Sequence, residues 1–239
     1  MAKTKRWVAV FDNHGDMIDR EAEAKFFGFV DEFKPDIRIH GGDAFDFRNL
    51  RRGVSEAERV DSMEADVDAG LSFLKRFSPD VWLLGNHDDR VPQQIRDGSD
   101  GNLRQLCSML WDRIEDATPN TRKLPYDAEK GIYRLGDLSI MHGYQHGAFV
   151  AKAAAEHAAS SALMGHVHSS SQIPLMNAGR HVGYTSGCLA RLDMHYASRW
   201  RARLRWNHGW AWGYTDGVHT SVFLAEKRNG HWNTITGGN

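Results

Sequence analysis

The sequence predicts an α/β architecture, with parallel strands in its first two thirds and antiparallel strands toward its C-terminal end. Three observations predict it. Five short apolar runs, each about the length of a buried strand, pass directly into a polar cluster. Segments with helical periodicity separate them, and strands alternating with helices build α/β sheets. Beyond residue 168 that periodicity fades, and short segments rich in β-branched and aromatic residues take over.

The first run, RWVAVF (6–11), ends in Asp12-Asn13-His14-Gly15-Asp16. A helix is expected over 19–33, where Phe26, Phe27, Phe29, Val30 and Phe33 share roughly one face and Pro35 ends the pattern. Asp16 reads as its N-cap. The second run, DIRIH (36–40), meets Gly41-Gly42-Asp43-Ala44-Phe45-Asp46. Ser55 and Glu58 form a capping box, which predicts a helix over 55–77 that stops before Pro79. The third run, VWLL (81–84), ends in Gly85-Asn86-His87-Asp88; alone, this could be a plain turn, since Gly, Asn and Asp are turn residues. Leu103, Leu106, Cys107, Leu110, Trp111 and Ile114 predict a helix over 101–116. The stretch 90–131 is the longest between two polar clusters and is a candidate lid or local cap. The fourth run, LSIM (138–141), meets His142-Gly143, and the alanine-rich 148–160 reads as helix. The fifth, SALM (161–164), ends in Gly165-His166-Val167-His168. Segments 181–185, 209–214 and 218–226 read as antiparallel strands, with Asn229-Gly230 as a hairpin turn before 231–235. Without a low-complexity linker, 1–239 reads as a single domain.

Hydrophobic residues make up 41% and charged residues 26%, the composition of a folded domain. The net charge of −1 gives no global attraction to nucleic acid or to a membrane, so either partner would need a local patch. No run approaches the roughly 20 apolar residues of a membrane span. Two cysteines, Cys107 and Cys188, are too few for a disulfide framework and read as free thiols, so a cytoplasmic location is expected.

The strand ends collect Asp12, His14, Asp43, Asn86, His142, His166 and His168. Hard oxygen and borderline nitrogen donors suit Mn²⁺, with Fe and Zn²⁺ as alternatives, better than Ca²⁺. Seven side chains exceed one tetrahedral zinc; they suit two cations with a shared ligand and open positions. Two cations about 3.5–4 Å apart are the usual arrangement for hydrolysing phosphate esters.

Asp12-x-His14, Gly42-Asp43-x-x-Asp46, Gly85-Asn86-His87-Asp88, His142-Gly143 and Gly165-His166-x-His168 resemble, in order, the motifs of the calcineurin-like metallophosphoesterases. The resemblance spans residues 12–168. It implies two packed mixed β-sheets flanked by helices, a four-layer α/β/β/α sandwich. It implies that Asp12, His14 and His168 hold one cation, that Asn86, His142 and His166 hold the other, and that Asp43 bridges them. His87 would face the substrate and protonate the leaving group, with Asp46 as its acidic partner. A bridging water made acidic by both cations would supply the attacking hydroxide.

Arg48 and Arg90, just past two of the motifs, are candidate clamps for a phosphate oxygen. His40 reads as packed in its strand or just behind the site, and Tyr144 and His146 as outside it. In RWRARLRWNHGWAWGY (199–214), arginines at 199, 201, 203 and 205 alternate with Trp200, Ala202, Leu204 and Trp206. On a strand this makes a basic face, suited to nucleic acid, or else a strand with buried tryptophans and solvated arginines. The leading expectation is a dinuclear phosphodiesterase, with nucleic acid as one substrate class. The alternatives are a phosphomonoesterase acting on a nucleotide or phosphoprotein, and a non-catalytic scaffold. Asp46-Phe47-Arg48 stands where protein phosphatases have Asp-Arg-Gly, which weakens the phosphoprotein version.

Overall fold

The computed structural model describes residues 3–176, 179–194 and 205–234. Strand β1 (Lys5–Val10) alternates its side chains between two apolar environments. Trp7 and Ala9 point into the layer between the sheets, while Val8 and Val10 face helix α1 (Arg20–Phe33). Asp19 caps α1 by accepting from Ala22 N at 2.9 Å. Asp16 is therefore not the cap; it takes the Arg48 guanidinium on both carboxylate oxygens at 2.7 Å.

Strand β2 (Ile37–His40) pairs in parallel with β1. The expected helix over 55–77 is two helices, α2 (Glu56–Arg59) and α3 (Met63–Phe77). The Ser55–Glu58 capping box is present but opens only the short first helix. Ser62 caps the second by accepting from Ala65 N, and between them Asp61 leaves the helical path to bind Arg48 Nε at 2.5 Å. A second capping signal inside the expected helix thus divides it.

Strand β3 (Val81–Leu83) pairs in parallel with β2. Residues 90–131 are built into the fold instead of forming a separate lid. They give α4 (Arg90–Asp97), α5 (Gly101–Ala117) and β4 (Arg122–Leu124), which adds in parallel to β3 at the sheet edge. Val91, Cys107, Leu110 and Ile114 bury themselves with Trp82, Phe45 and Leu71.

Strands β5 (Tyr133–Leu135), β6 (Leu138–Met141), β7 (Ser161–Met164), β8 (Ser171–Pro174) and β9 (Val182–Thr185) form the second sheet, in the order β5-β6-β7-β9-β8. β9 pairs in parallel with β7, so the antiparallel expectation for 181–185 holds only against β8. Helix α6 (Val150–Ala158) lies over this sheet through Ala154, Ala155, Met141 and Met164.

Strands β10 (Gly209–Thr215), β11 (Phe223–Arg228) and β12 (His231–Trp232) complete the first sheet in the order β12-β11-β10-β1-β2-β3-β4. Asn229 and Gly230 make the predicted hairpin turn with φ of 50° and 80°. Trp210 and Trp212 are buried against α1. The arginines at 201 and 203, with Arg199 and Trp200, lie outside the described residues. Between the sheets, Trp7, Phe11, Ile39, Leu83, Ile140 and Leu163 form the central core. Two mixed sheets face each other, with α1, α3 and α5 on one outer side and α6 on the other. Among the described residues, no helix is long and apolar enough to cross a membrane.

Candidate metal centre

All five predicted runs are strands, and their C-terminal ends meet at one edge of the sandwich. Backbone bonds lace the first two turns together. Asp12 N donates to Gly42 O at 2.9 Å, His14 N to Asp43 O at 3.0 Å and Gly15 N to Ala44 O at 2.9 Å. The turns are tight: Asp12, His14, Asp43, His166 and His168 all have left-handed φ, between 51° and 67°. Residues with a Cβ disfavour that region by about 1–2 kcal/mol each. Such strain persists where the surroundings over-determine it, and it clusters at functional sites.

Three groups of side chains place ligand atoms within 4.8 Å of one another: Asp12, His14 and His168; His14, Asp43 and His87; and Asp43, His142 and His166. The first is one predicted ligand set, and the third joins His142 and His166 of the other to Asp43. Asn86 joins the third through Oδ1, 3.1 Å from His142 Nε2. Asp43 Oδ2 lies 3.8 Å from His14 Nε2 and 3.3 Å from His142 Nε2, between the two sets.

The imidazoles are aimed from behind. His14 Nδ1 faces Asp46 Oδ1 at 3.1 Å, and His142 Nδ1 faces Gly41 O at 3.1 Å. Each acceptor calls for a proton on Nδ1, which leaves the Nε2 lone pair toward the cluster, the arrangement metal-binding histidines use. Among the described residues, Asp12 Oδ1 is fully buried with no hydrogen-bond partner, and His168 Nε2 lies 3.5 Å from it. A buried carboxylate oxygen without a hydrogen bond, facing histidine nitrogens, fits a divalent cation, and so does this oxygen-and-nitrogen donor set without thiolate.

Burial opposes ionisation of Asp43, yet His142, His87 and His14 hold its carboxyl well below the usual range. Burial likewise opposes the charge on His142, but Asp43 beside it raises the imidazole to about 9. Burial, with His142 nearby, pushes His166 down to about 3.

His87 is buried beside the first set, with Nδ1 2.7 Å from Asp46 Oδ1 and its ring edge-on to His14 at 4.5 Å. Asp46 thus lies against both histidines, the expected partner of His87 and also the orienting group of His14. Arg90 Nη1 donates to Asp46 O at 2.8 Å, and its Nη2 lies 3.3 Å from His87 Nε2. Arg48 does not take the clamp position. Asp16 and Asp61 hold its guanidinium, with Asp46 Oδ2 a further 3.6 Å away, and three carboxylates commit its charge.

Two carboxylates that sequence reasoning gave no role here organise the turns. Asp66, on α3, accepts from Asp46 N at 3.1 Å and Phe47 N at 2.7 Å. Asp88, read as a turn residue, is fully buried and accepts from Phe45 N, Gly85 N and Trp82 Nε1. It ties the third turn to the second. The signal for Asp66 was a carboxylate on the apolar side of a helix, one residue before Val67 and five before Leu71, both in the core. His40 is the expected supporting residue: its Nε2 meets Asn13 Oδ1 at 2.7 Å, and burial lowers its pKa to about 3. His146, expected outside the site, instead approaches His166, with Nε2 atoms 3.1 Å apart.

Two clefts open from the cluster. The larger, about 750 Å³, is lined by Asn86, His87, His146, Ser169, Arg205 and Trp206. The second, about 630 Å³, is lined by Asn86, Arg51, Arg52, Arg90, Gln93 and Gln94.

No protein-family model and no curated protein matches the chain. Solved structures do. A metallophosphoesterase from Sphaerobacter thermophilus is 15% identical, with 93% of this chain and 88% of that chain covered, at a TM-score of 0.51. Vps29 from Chaetomium thermophilum is 12% identical, with 96% and 92% covered, at 0.51. A Vps29 single mutant from Entamoeba histolytica is 8% identical, with 95% and 96% covered, at 0.50. With its two mixed sheets, its flanking helices and its ligand-bearing strand ends, the chain has the fold of the calcineurin-like metallophosphoesterases.

Proposed function

We propose that the protein is a metal-dependent phosphoesterase that holds two divalent cations, Mn²⁺ first among them, and hydrolyses phosphodiesters. The observation that carries this reading is the pair of ligand sets around Asp43, with His14 and His142 each oriented through Nδ1. Asp12, His14 and His168 would hold one cation, Asn86, His142 and His166 the other, and Asp43 both. When bound, the cations supply charge that neutralises phosphate oxygens and acidifies water.

The chain's own residues supply the rest. Asp46 fixes the His87 tautomer and orientation through Nδ1, which leaves Nε2 as the atom that meets the substrate. As imidazolium, His87 would carry a proton on Nε2 besides the Nδ1 proton held by Asp46, and would pass the Nε2 proton to the departing alkoxide, a contribution of roughly 10²–10⁴-fold. Arg90, braced by Asp46 O, offers its guanidinium on the same side. Asn86 lines both clefts, which gives a diester room for a substituent on each side of phosphorus. A monoester needs only one. Arg205 and Trp206 in the larger cleft suit the backbone and base of a nucleic acid.

The test compares bis-p-nitrophenyl phosphate with p-nitrophenyl phosphate, in Mn²⁺ and after chelation. A faster, Mn²⁺-dependent rate on the diester is expected. Preference for the monoester would overturn the diester reading. A second reading, a binding scaffold, draws on the likeness to Vps29 folds. Purified protein that takes up no Mn²⁺ would favour it. Against it stands the full ligand set, together with His87, which a scaffold does not need.

A further inference from the structure

We infer that His146 is an additional ligand of the second cation, the one assigned to Asn86, His142 and His166; the inference rests on that two-cation reading. His146 belongs to the loop between β6 and α6, and none of the five strand-end motifs contains it. Its Nε2 lies 3.1 Å from His166 Nε2, with ring centroids 4.5 Å apart.

The spacing is informative because it recurs. His14 Nε2 and His168 Nε2, assigned to one cation, are 3.1 Å apart. His142 Nε2 and Asn86 Oδ1, assigned to the other, are also 3.1 Å apart. Two ligand atoms about 2.1 Å from one cation and at right angles to each other stand about 3.0 Å apart. The His146–His166 pair repeats the separation of the two ligand pairs already in the site.

The loop can also bring His146 inward. It runs between Gly143 and Gly147, with φ of 100° and 109°, a region open to glycine and strained for other residues. His146 stands outside the Asp43–His142–His166 group and reaches it through His166. It is exposed and lines the larger cleft, so turning its side chain toward the cation displaces no buried residue. Phosphate binding from the same cleft would compete with it for that cation.

The test is calorimetric titration with Mn²⁺, and absorption titration with Co²⁺, on wild type, His146→Ala and His146→Gln. Wild type is measured first; if it binds no second cation, the two-cation reading itself fails. If it binds two, His146→Ala should keep the tighter cation at wild-type affinity. It should bind the second about tenfold or more weakly, with an altered Co²⁺ spectrum for that equivalent. His146→Gln keeps a hydrogen-bonding group but is a poor ligand, so it should behave like His146→Ala. Second-cation affinity within twofold of wild type in His146→Ala would overturn the inference. Full rescue by His146→Gln would also overturn it and reduce His146 to a hydrogen-bonding partner of His166.

Discussion

Gly85→Ala should damage both the fold and the centre, although it adds a single methyl group. Gly85 follows β3 where that strand runs against the Asp43 turn. A Cβ there would sit 2.1 Å from Asp43 Oδ1, 2.5 Å from Asp43 N and 2.7 Å from Asp43 Cγ. One of these atoms is backbone, so a side-chain rotation cannot relieve the clash. Forcing extra volume into packed structure costs about 1–3 kcal/mol. Displacing Asp43 also breaks its 2.8 Å bond from His87 N, and a hydrogen bond to a charged group contributes about 1.5–3 kcal/mol. Together these give a loss of about 2.5–6 kcal/mol. Urea unfolding of the metal-free protein reads this as a lower midpoint at unchanged slope. Since Asp43 is assigned to both cations, Mn²⁺ titration should show both affinities reduced. Gly28→Ala is the matched control. Gly28 is an exposed position inside α1 with nothing within 4 Å of the added methyl, so the same change there should stabilise by about 0.5–1 kcal/mol. A Gly85→Ala protein that loses less than about 1 kcal/mol and binds Mn²⁺ as wild type does would refute the reasoning.

Three other outcomes are expected. His87→Ala should lower turnover by roughly 10²–10⁴-fold on a diester with a poor leaving group and much less on a nitrophenyl diester, with cation content unchanged; full rate on the poor substrate would sink the proton-donor role. Asp66 is buried, and burial raises its pKa from 3.8 to about 6. Because the folded value lies above the unfolded one, the native state holds the extra proton between about pH 4 and 6. Stability from this group is therefore present below pH 4 and lost as pH rises through 6, by up to about 3 kcal/mol. Asp66→Asn should remove that decline from a urea-midpoint series across pH 4–7, and parallel curves for the two proteins would contradict it. Arg48→Met should lower stability through its three carboxylate partners while leaving KM for the diester near wild type; a large rise in KM at unchanged stability would restore Arg48 as a clamp.

Much of this candidate centre was legible because its side chains sit where strands end. An apolar run that stops at Asp12, Asp43, Asn86, His142 or His166 announces a buried strand delivering polar atoms to a rim, and local sequence carries that signal. What stayed hidden depends on residues distant in sequence. Asp66 drew no notice within the helix expected over 55–77, because its partners, the Asp46 and Phe47 amides, lie about twenty residues away. Arg48 looked available until the fold brought Asp16 and Asp61 onto it. The Ser55–Glu58 capping box and Pro79 marked only the outer ends of 55–77, so the break between α2 and α3 went unread, although Ser62 carried a capping signal. His146 had no motif around it, and only the turn of the loop after β6 sets it against His166.

Every role assigned above depends on a centre of two cations joined through Asp43. Its most direct test is the cation content of purified, Mn²⁺-equilibrated protein, compared between wild type and Asp43→Ala by elemental analysis. Two cations per chain are expected in wild type and loss of both from Asp43→Ala, with the variant still folded by circular dichroism. A wild type that holds a single cation, or a folded Asp43→Ala protein that still holds two, would contradict it.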